Sequence, residues 1–352
     1  MSHTKHHHHG QEYYQAYPKV ELHRHLEGSL RLETLREIAQ DHGIPVEEHA
    51  PLDNLVQIGE REPFTVANFL SKFATLRLFY RSPEVITRIT HEAIEDAARD
   101  NVRYMELRFT PVALSREEDF PLPDVIDWVI EAASQASIKF NLPVRLIASV
   151  NRHESPDLAE EVARLAVERM SRGIVGLDLA GNEADFSALP FAAIFREAQE
   201  AGLRITVHAG EWGSAANVSE AIEALGAERI GHGVRVLEDE NAVHLARERG
   251  TTFEVCITSN YQSGVVAALT KHPLVRMQAA GLNVTINTDD PSISRITLGD
   301  EYRVAAETLG MSDSGLQHCV LQAARSAFLP PAEREALVAQ LENEFRTLQA
   351  DA

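Results

Sequence analysis

A (β/α)8 barrel, with a helical insertion after its first strand and helices at its C-terminal end, is the fold class this 352-residue sequence predicts. Three observations predict it. Short apolar runs with strand character alternate strictly with amphipathic helical stretches, the pattern of a parallel sheet with helical crossovers. Counting the opening strand, eight such βα units can be traced, and several of their helices end on a glycine just before the next strand, as Gly173, Gly202, Gly250 and Gly281 show. No GxGxxG or GxxxxGK[ST] turn is found in the chain, so nothing favours a doubly wound open sheet.

The elements follow in order. The opening MSHTKHHHHG, with His6 to His9 in a row, reads as a tag or a metal-binding tail; residues 1–17 are expected to be a disordered or tag-like His-rich tail, leaving 18–352 as a single barrel domain. The first strand is VELHRHLEG (20–28). SLRLETLREIAQDHG follows as an amphipathic helix, with Ser29 as its cap, Leu32, Leu35 and Ile38 on one face, and Gly43 at its end. Residues from about Ile44 to Pro83 are too long for a simple connection. Within them Phe64, Phe69, Leu70, Phe73, Leu76 and Phe79 have helical spacing, which fits either a lid over a pocket or an extra helix packed on the barrel. The remaining strands are expected at 101–109, 143–150, 173–180, 203–210, 229–234, 251–259 and 282–288, and LPPAEREALVAQLENEFRTLQ makes a terminal helix with Pro331 near its start.

In such a barrel catalytic groups sit at the C-terminal ends of the strands. Here the first strand ends on His23 and His25, the fifth on HAGE (208–211), the sixth on IGHG (230–233) and the eighth on NTDDP (287–291). A lone histidine is more often a satisfied core or surface residue than a ligand, and His42, His91, His153 and His244 read that way. His91 and Glu92 begin an HExxH pattern that fails at Glu95. Four strand ends converging with His or paired carboxylates are different, because burying those groups without partners would cost several kcal/mol. Alternation along a strand aims His23, His25 and Glu27 to one face. Zinc takes imidazole nitrogen and carboxylate oxygen and, in catalytic sites, keeps a position open for water. The best ligand set is therefore His23, His25, His208 and Asp289, the last sharing a face with Thr285 and Asn287. The lysines are Lys5, Lys19, Lys72, Lys139 and Lys271, with none on the fourth strand to bridge two metals, so one zinc per chain is expected. Glu211 is close enough to reach a metal-bound water or a substrate nitrogen, unless it is only a helix-start charge. Asp290 beside Asp289 would be repelled unless one of the pair binds metal.

HRHLEG, DLAGNE, HAGE, IGHG, TSN and NTDDP, in this order over nearly the whole chain, resemble the adenosine deaminase family of the amidohydrolase superfamily. The resemblance implies a (β/α)8 barrel with one zinc on His23, His25, His208 and Asp289, hydrolysing the 6-amino group of adenosine and 2′-deoxyadenosine. It implies Glu211 as proton donor to purine N1 and His232 as the residue that orients the attacking hydroxide and relieves it of a proton. Asp290 would hydrogen-bond near N7 and the Gly181 backbone would meet N3, with His25 and Glu27 also on the substrate. Glu27 stands where many members have Asp, a residue that contacts the ribose 5′-hydroxyl, and Asn182 departs from the frequent DLAGDE. Related 6-aminopurine compounds, namely adenine, methylthioadenosine and 6-aminodeoxyfutalosine, are the alternative substrates. A barrel metallohydrolase of esters or phosphotriesters and a non-catalytic binding protein are the alternatives of other classes.

Composition agrees with a small-molecule purine nucleoside as partner. With 33 Lys+Arg against 53 Asp+Glu the formal charge is −20, which opposes binding to a nucleic-acid backbone or an anionic membrane. The HxE and PCxxC signature of deaminases that act on flipped or single-stranded bases is absent. No apolar run approaches the length of a membrane helix, no signal-peptide core is seen, and two cysteines, Cys256 and Cys319, argue for a cytoplasmic location without a disulfide framework.

Overall fold

The computed structural model describes residues 10–45 and 51–350. Eight strands, each hydrogen-bonded in parallel to the next in chain order, form one sheet: β1 (Lys19–His25), β2 (Val102–Phe109), β3 (Val144–Asn151), β4 (Ile174–Ala180), β5 (Arg204–Ala209), β6 (Arg229–His232), β7 (Thr252–Val255) and β8 (Asn283–Ile286). The sheet curls on itself. Its seam is closed beyond the end of β8, where Asp289 N–H donates to the His23 carbonyl at 2.9 Å and His25 N–H donates to the Asp289 carbonyl at 2.8 Å. The Asn287 side-chain carbonyl adds a third link, accepting from Leu22 N–H at 2.9 Å. The strands are buried almost throughout, as expected when helices cover a parallel sheet. One contiguous core results, in which helix Pro83–Arg99 contributes Ile86, Ile89, Ala93 and Ile94.

Several boundaries differ from those the sequence predicts, each for a local reason. Residues 10–17 are not a tail. Gln11–Ala16 is helical, and Tyr14 and Tyr17 are buried, Tyr17 against Tyr302 and Phe345. Lys19 Nζ ties this segment down by donating to the carbonyls of Tyr14, Gln15 and Tyr17. The four-histidine run, His6 to His9, lies outside the described residues. Ser29 does not cap the next helix, which runs Leu32–His42. Its hydroxyl instead donates to the His25 carbonyl at 2.6 Å and accepts from Arg24 Nε, bracing the end of β1. β6 stops at His232 and β7 at Val255, and the TSN run continues as a short helix, Ile257–Gln262. Helix Asp313–Ser326, one of the C-terminal helices, packs on β8 and β1 and completes the outer ring. Helix Pro331–Ala350 follows, where the terminal helix is expected.

The insertion is built as Leu52–Val56 and Val66–Leu76, followed by a tight turn of helix at Arg77–Phe79. Thr65 caps the longer helix by accepting from Asn68 N–H at 3.2 Å. Lys72 fastens it, with Nζ 2.6 Å from the Asn54 carbonyl and 2.7 Å from Glu62. Its apolar face points at the mouth of the barrel. Cys256 and Cys319 are both buried and unbridged, and no described helix is long and apolar enough to cross a membrane.

Candidate active site

At the C-terminal mouth lies a cavity of about 350 Å³, walled by strand ends and covered by the insertion through Phe69, Leu70, Phe73 and Arg77. Its floor is a cluster of imidazoles and a carboxylate. His23 Nε2 is 3.2 Å from Asp289 Oδ1, and His25 Nε2 is 3.4 Å from the same oxygen and 3.3 Å from His208 Nε2. His232 Nε2 stands slightly farther back, 3.9 Å from Asp289 Oδ2 and 3.6 Å from Glu211 Oε2. All four ligands expected from the sequence are therefore brought together with both catalytic candidates.

Alternation accounts for His23 and His25 but not for Asp289. β8 ends at Ile286, and Asp289 reaches the floor from a turn with φ 65°, a left-handed conformation uncommon outside glycine. His232, at φ 62°, is held the same way. Two such residues facing one cavity are the kind of backbone strain that collects at functional sites. Two glycines make room. A Cβ on Gly231 would lie 2.8 Å from His23 Cε1, and one on Gly28 would lie 1.8 Å from Asp290 Oδ1.

The outward nitrogens of two of the floor histidines, His23 and His208, are anchored to carboxylates. His23 Nδ1 meets Glu254 Oε2 at 2.8 Å and His208 Nδ1 meets Asp178 Oδ1 at 3.0 Å. Burial works against ionising these carboxylates, but His208 and Arg108 hold Asp178, and Arg108 and Arg229 hold Glu254, well below the usual carboxylate range. Arg108 stands between them, with Nη2 2.7 Å from Glu254 and Nη1 3.4 Å from Asp178. Burial pushes His25 and His208 down, toward the neutral form that ligates metal, whereas for His23 the effect of burial is outweighed by its interactions with Asp289 and Glu254, which push it up. His23 Nε2 is buried without a hydrogen-bond partner. Imidazoles whose outer nitrogens are bound to carboxylates and whose inner nitrogens converge are what a metal requires. A tighter grouping by distance alone is His23, His208, His232 and Asp289, whose ligand atoms lie within 4.8 Å of one another. His25 is nevertheless the better remaining ligand by its approach to the carboxylate, its Nε2 lying 3.4 Å from Asp289 against 3.9 Å for that of His232.

Around this floor the remaining candidates line the cavity. Glu211 is buried and raised well above the usual carboxyl range, by burial first and then by the charges of Asp289 and Glu183. Asp290 is raised likewise, by burial and by Asp289, Glu27 and Glu211, and its Oδ1 has no partner. Glu27 Oε1 accepts from Thr110 N–H at 2.5 Å while Oε2 has no partner, and burial pushes its carboxyl up to about 7. Gly181, at φ 94°, and Trp212 form part of the wall.

Sequence reasoning missed some of the site. His153 is not a bland loop histidine but lines the cavity with Asn151. Glu183 accepts from three successive amides of the HAGE turn, those of Gly210 at 2.8 Å, Glu211 at 2.5 Å and Trp212 at 2.8 Å. Asp178 and Glu183 both lie in the DLAGNE stretch, so the motif carried a signal that strand alternation could have turned into roles. Glu254 and Arg108 sit on strands with no such mark.

A model of the family described as adenosine deaminase matches residues 18–344. An adenosine deaminase from Clostridium perfringens is 35% identical over 322 residues, covering 91% of this chain and 96% of that protein. An amidohydrolase from Burkholderia ambifaria, solved with bound zinc, superposes with a TM-score of 0.89 at 28% identity, covering 100% of this chain and 96% of the other. Adenine deaminase from Arthrobacter aurescens superposes with a TM-score of 0.86 at 29% identity, covering 94% and 100%.

Proposed function

Since this chain belongs to the adenosine deaminase family, we propose that it is a zinc-dependent hydrolase that converts adenosine and 2′-deoxyadenosine to their inosine counterparts and ammonia. The observation that carries this reading is the convergence of His23, His25, His208 and Asp289 beside the buried Glu211 at the floor of one covered cavity. A single zinc on those four residues, with one position open, would supply Lewis acidity and lower the pKa of water from 15.7 to about 7.

The chain's own groups then have distinct tasks. Glu211, whose carboxyl burial pushes up toward the protonated form, gives its proton to purine N1 and so makes C6 electrophilic; a positioned acid of this kind contributes roughly 10²–10⁴-fold. Purine N7 is an acceptor and needs a donor, a role for Asp290, whose carboxyl burial and its acidic neighbours push up toward the protonated form. The Gly181 backbone meets N3. His25 and Glu27 face the sugar side, where the unpartnered Glu27 Oε2 can take a hydroxyl hydrogen. His232 faces the reacting oxygen. The insertion helix covers the base and excludes water.

Initial rates on adenosine, deoxyadenosine, adenine, methylthioadenosine and aminodeoxyfutalosine, compared side by side with metal content per chain, test the reading. The expected result is one zinc per chain and highest kcat/KM on the two nucleosides, with Glu211→Gln losing about 10²–10⁴-fold in kcat. Two metals per chain with esterase activity that survives Glu211→Gln would sink it, and preference for adenine would reassign the substrate.

A further inference from the structure

Behind the cavity a buried file of hydrogen bonds runs from the main chain at Leu274 to the His232 ring. Leu274 N–H donates to His272 Nδ1 at 3.2 Å, His272 Nε2 lies 3.3 Å from Asn260 Oδ1, and Asn260 Nδ2 lies 3.1 Å from His232 Nδ1. All three side chains are buried, Asn260 completely. None of them takes part in the ligand cluster proposed above, yet the file has a direction.

The direction is set at its far end, because a backbone N–H can only donate. His272 Nδ1 is therefore an acceptor. Burial, aided by Arg276, pushes His272 down to about 3, so the ring is neutral and carries its one proton on Nε2. That proton requires an acceptor, which orients the Asn260 amide with its oxygen toward His272 and its nitrogen toward His232. The same amide also lies against Glu211, where it favours the ionised carboxylate, as an N–H donor does. Facing a donor, His232 Nδ1 must accept. The neutral ring then holds its proton on Nε2, the nitrogen that points to Glu211 Oε2 at 3.6 Å and Asp289 Oδ2 at 3.9 Å.

We propose that Asn260 and His272 are positioning residues that lock His232 in its Nε2–H tautomer, so that His232 enters the reaction as a hydrogen-bond donor to the reacting oxygen and not as the base expected from the resemblance. A neutral imidazole already protonated at the nitrogen facing the cavity has no lone pair there to take a proton. It can stabilise negative charge as it develops on oxygen, a contribution typically worth about 10²–10³-fold in kcat. Hydrolysis balances without a proton on His232. Glu211 gives its proton to N1, and of the two hydrogens of the attacking water one leaves in ammonia and the other restores Glu211. The identity of the oxygen rests on the deamination reading, whereas the tautomer rests only on the hydrogen-bond file.

The test is ¹⁵N NMR of the zinc-loaded enzyme labelled at histidine, with His232 assigned by the loss of its signals in His232→Asn. The expected result is a protonated Nε2 and an unprotonated Nδ1. Asn260→Asp places a carboxylate against Nδ1 and is expected to reverse the tautomer, lowering kcat by about 10²–10³-fold with little change in KM. His272→Gln, whose amide can still donate to Asn260, is expected to retain the wild-type tautomer and most of kcat, and His272→Leu to lose both. A wild-type His232 protonated at Nδ1, an Nε2 bound to the metal, or an Asn260→Asp enzyme with unchanged kcat would each overturn the proposal. An enzyme that left nucleosides untouched but showed the Nε2–H tautomer would refute the substrate assignment alone.

Discussion

Glu183 illustrates how one side chain can fix another without touching substrate. Its carboxylate accepts from the amides of Gly210, Glu211 and Trp212, so the whole turn that presents Glu211 hangs on it. Hydrogen bonds to a charged acceptor are worth about 1.5–3 kcal/mol each, and an unsatisfied buried amide costs about 1–3 kcal/mol. Glu183→Gln, which swaps one acceptor oxygen for a donor, is expected to cost about 2–3 kcal/mol in urea denaturation and to lower kcat more than it raises KM. Equal kcat and stability would show that the turn holds itself. The residues most readable from the sequence were those that sit on a strand or in a tight motif. His23 and His25 follow from period-two alternation, and Glu211 and Asp290 from their neighbours. Asp289 did not follow from alternation, because a left-handed residue after the strand places it. Nothing in Arg108, Glu254 or His272 taken singly marks a role, since each acts through a partner more than a hundred residues away or through a main-chain amide of no sequence signature.

The insertion shows what an element adds. Val66–Leu76 turns Phe69, Leu70 and Phe73 toward the cavity, and the polar tie of Lys72 to Asn54 and Glu62 fixes its angle of approach. The spacing of its aromatic residues announced a helix with one apolar face; it did not say which surface that face would meet, because a lid and a packed helix have the same periodicity. Phe73→Ala is expected to raise KM for a purine nucleoside roughly 5–30-fold, about 1–2 kcal/mol of lost apolar contact, while leaving kcat within a few-fold. A kcat loss without a KM change would mean that the helix orders the catalytic groups and does not hold the base. The same logic explains the elements whose limits moved. β7 is short because the TSN run folds into Ile257–Gln262, which delivers Ser259 to Asp289 at 2.6 Å and Asn260 to His232. Local pattern gave an extended run there, and tertiary hydrogen bonding overrode it.

For the molecule as a whole, the βα rhythm sufficed to specify the barrel, since eight alternating units have few other ways to bury a parallel sheet. The contacts that close it were not legible, because the seam is made mostly by backbone groups. At that seam the chain's beginning and end meet: His23 and His25 exchange main-chain bonds with Asp289, and the side chains of the same three residues form the floor. In the proposed zinc site, coordination and closure would therefore be one event. A divalent ion on the proposed ligands would cross-link the first strand to the turn after the last, and a chelator should then slacken the join without unravelling the remaining staves. Hydrogen–deuterium exchange before and after chelation is expected to speed the amides of His25 and Asp289 well ahead of those in β3 and β4. Uniform acceleration across all eight strands would instead make the ion a keystone of the entire cylinder. On the ribosome the consequence is temporal: the pocket cannot exist until residue 289 has emerged, so a polypeptide halted before that point would carry three of the four proposed ligands and is expected to hold no metal firmly.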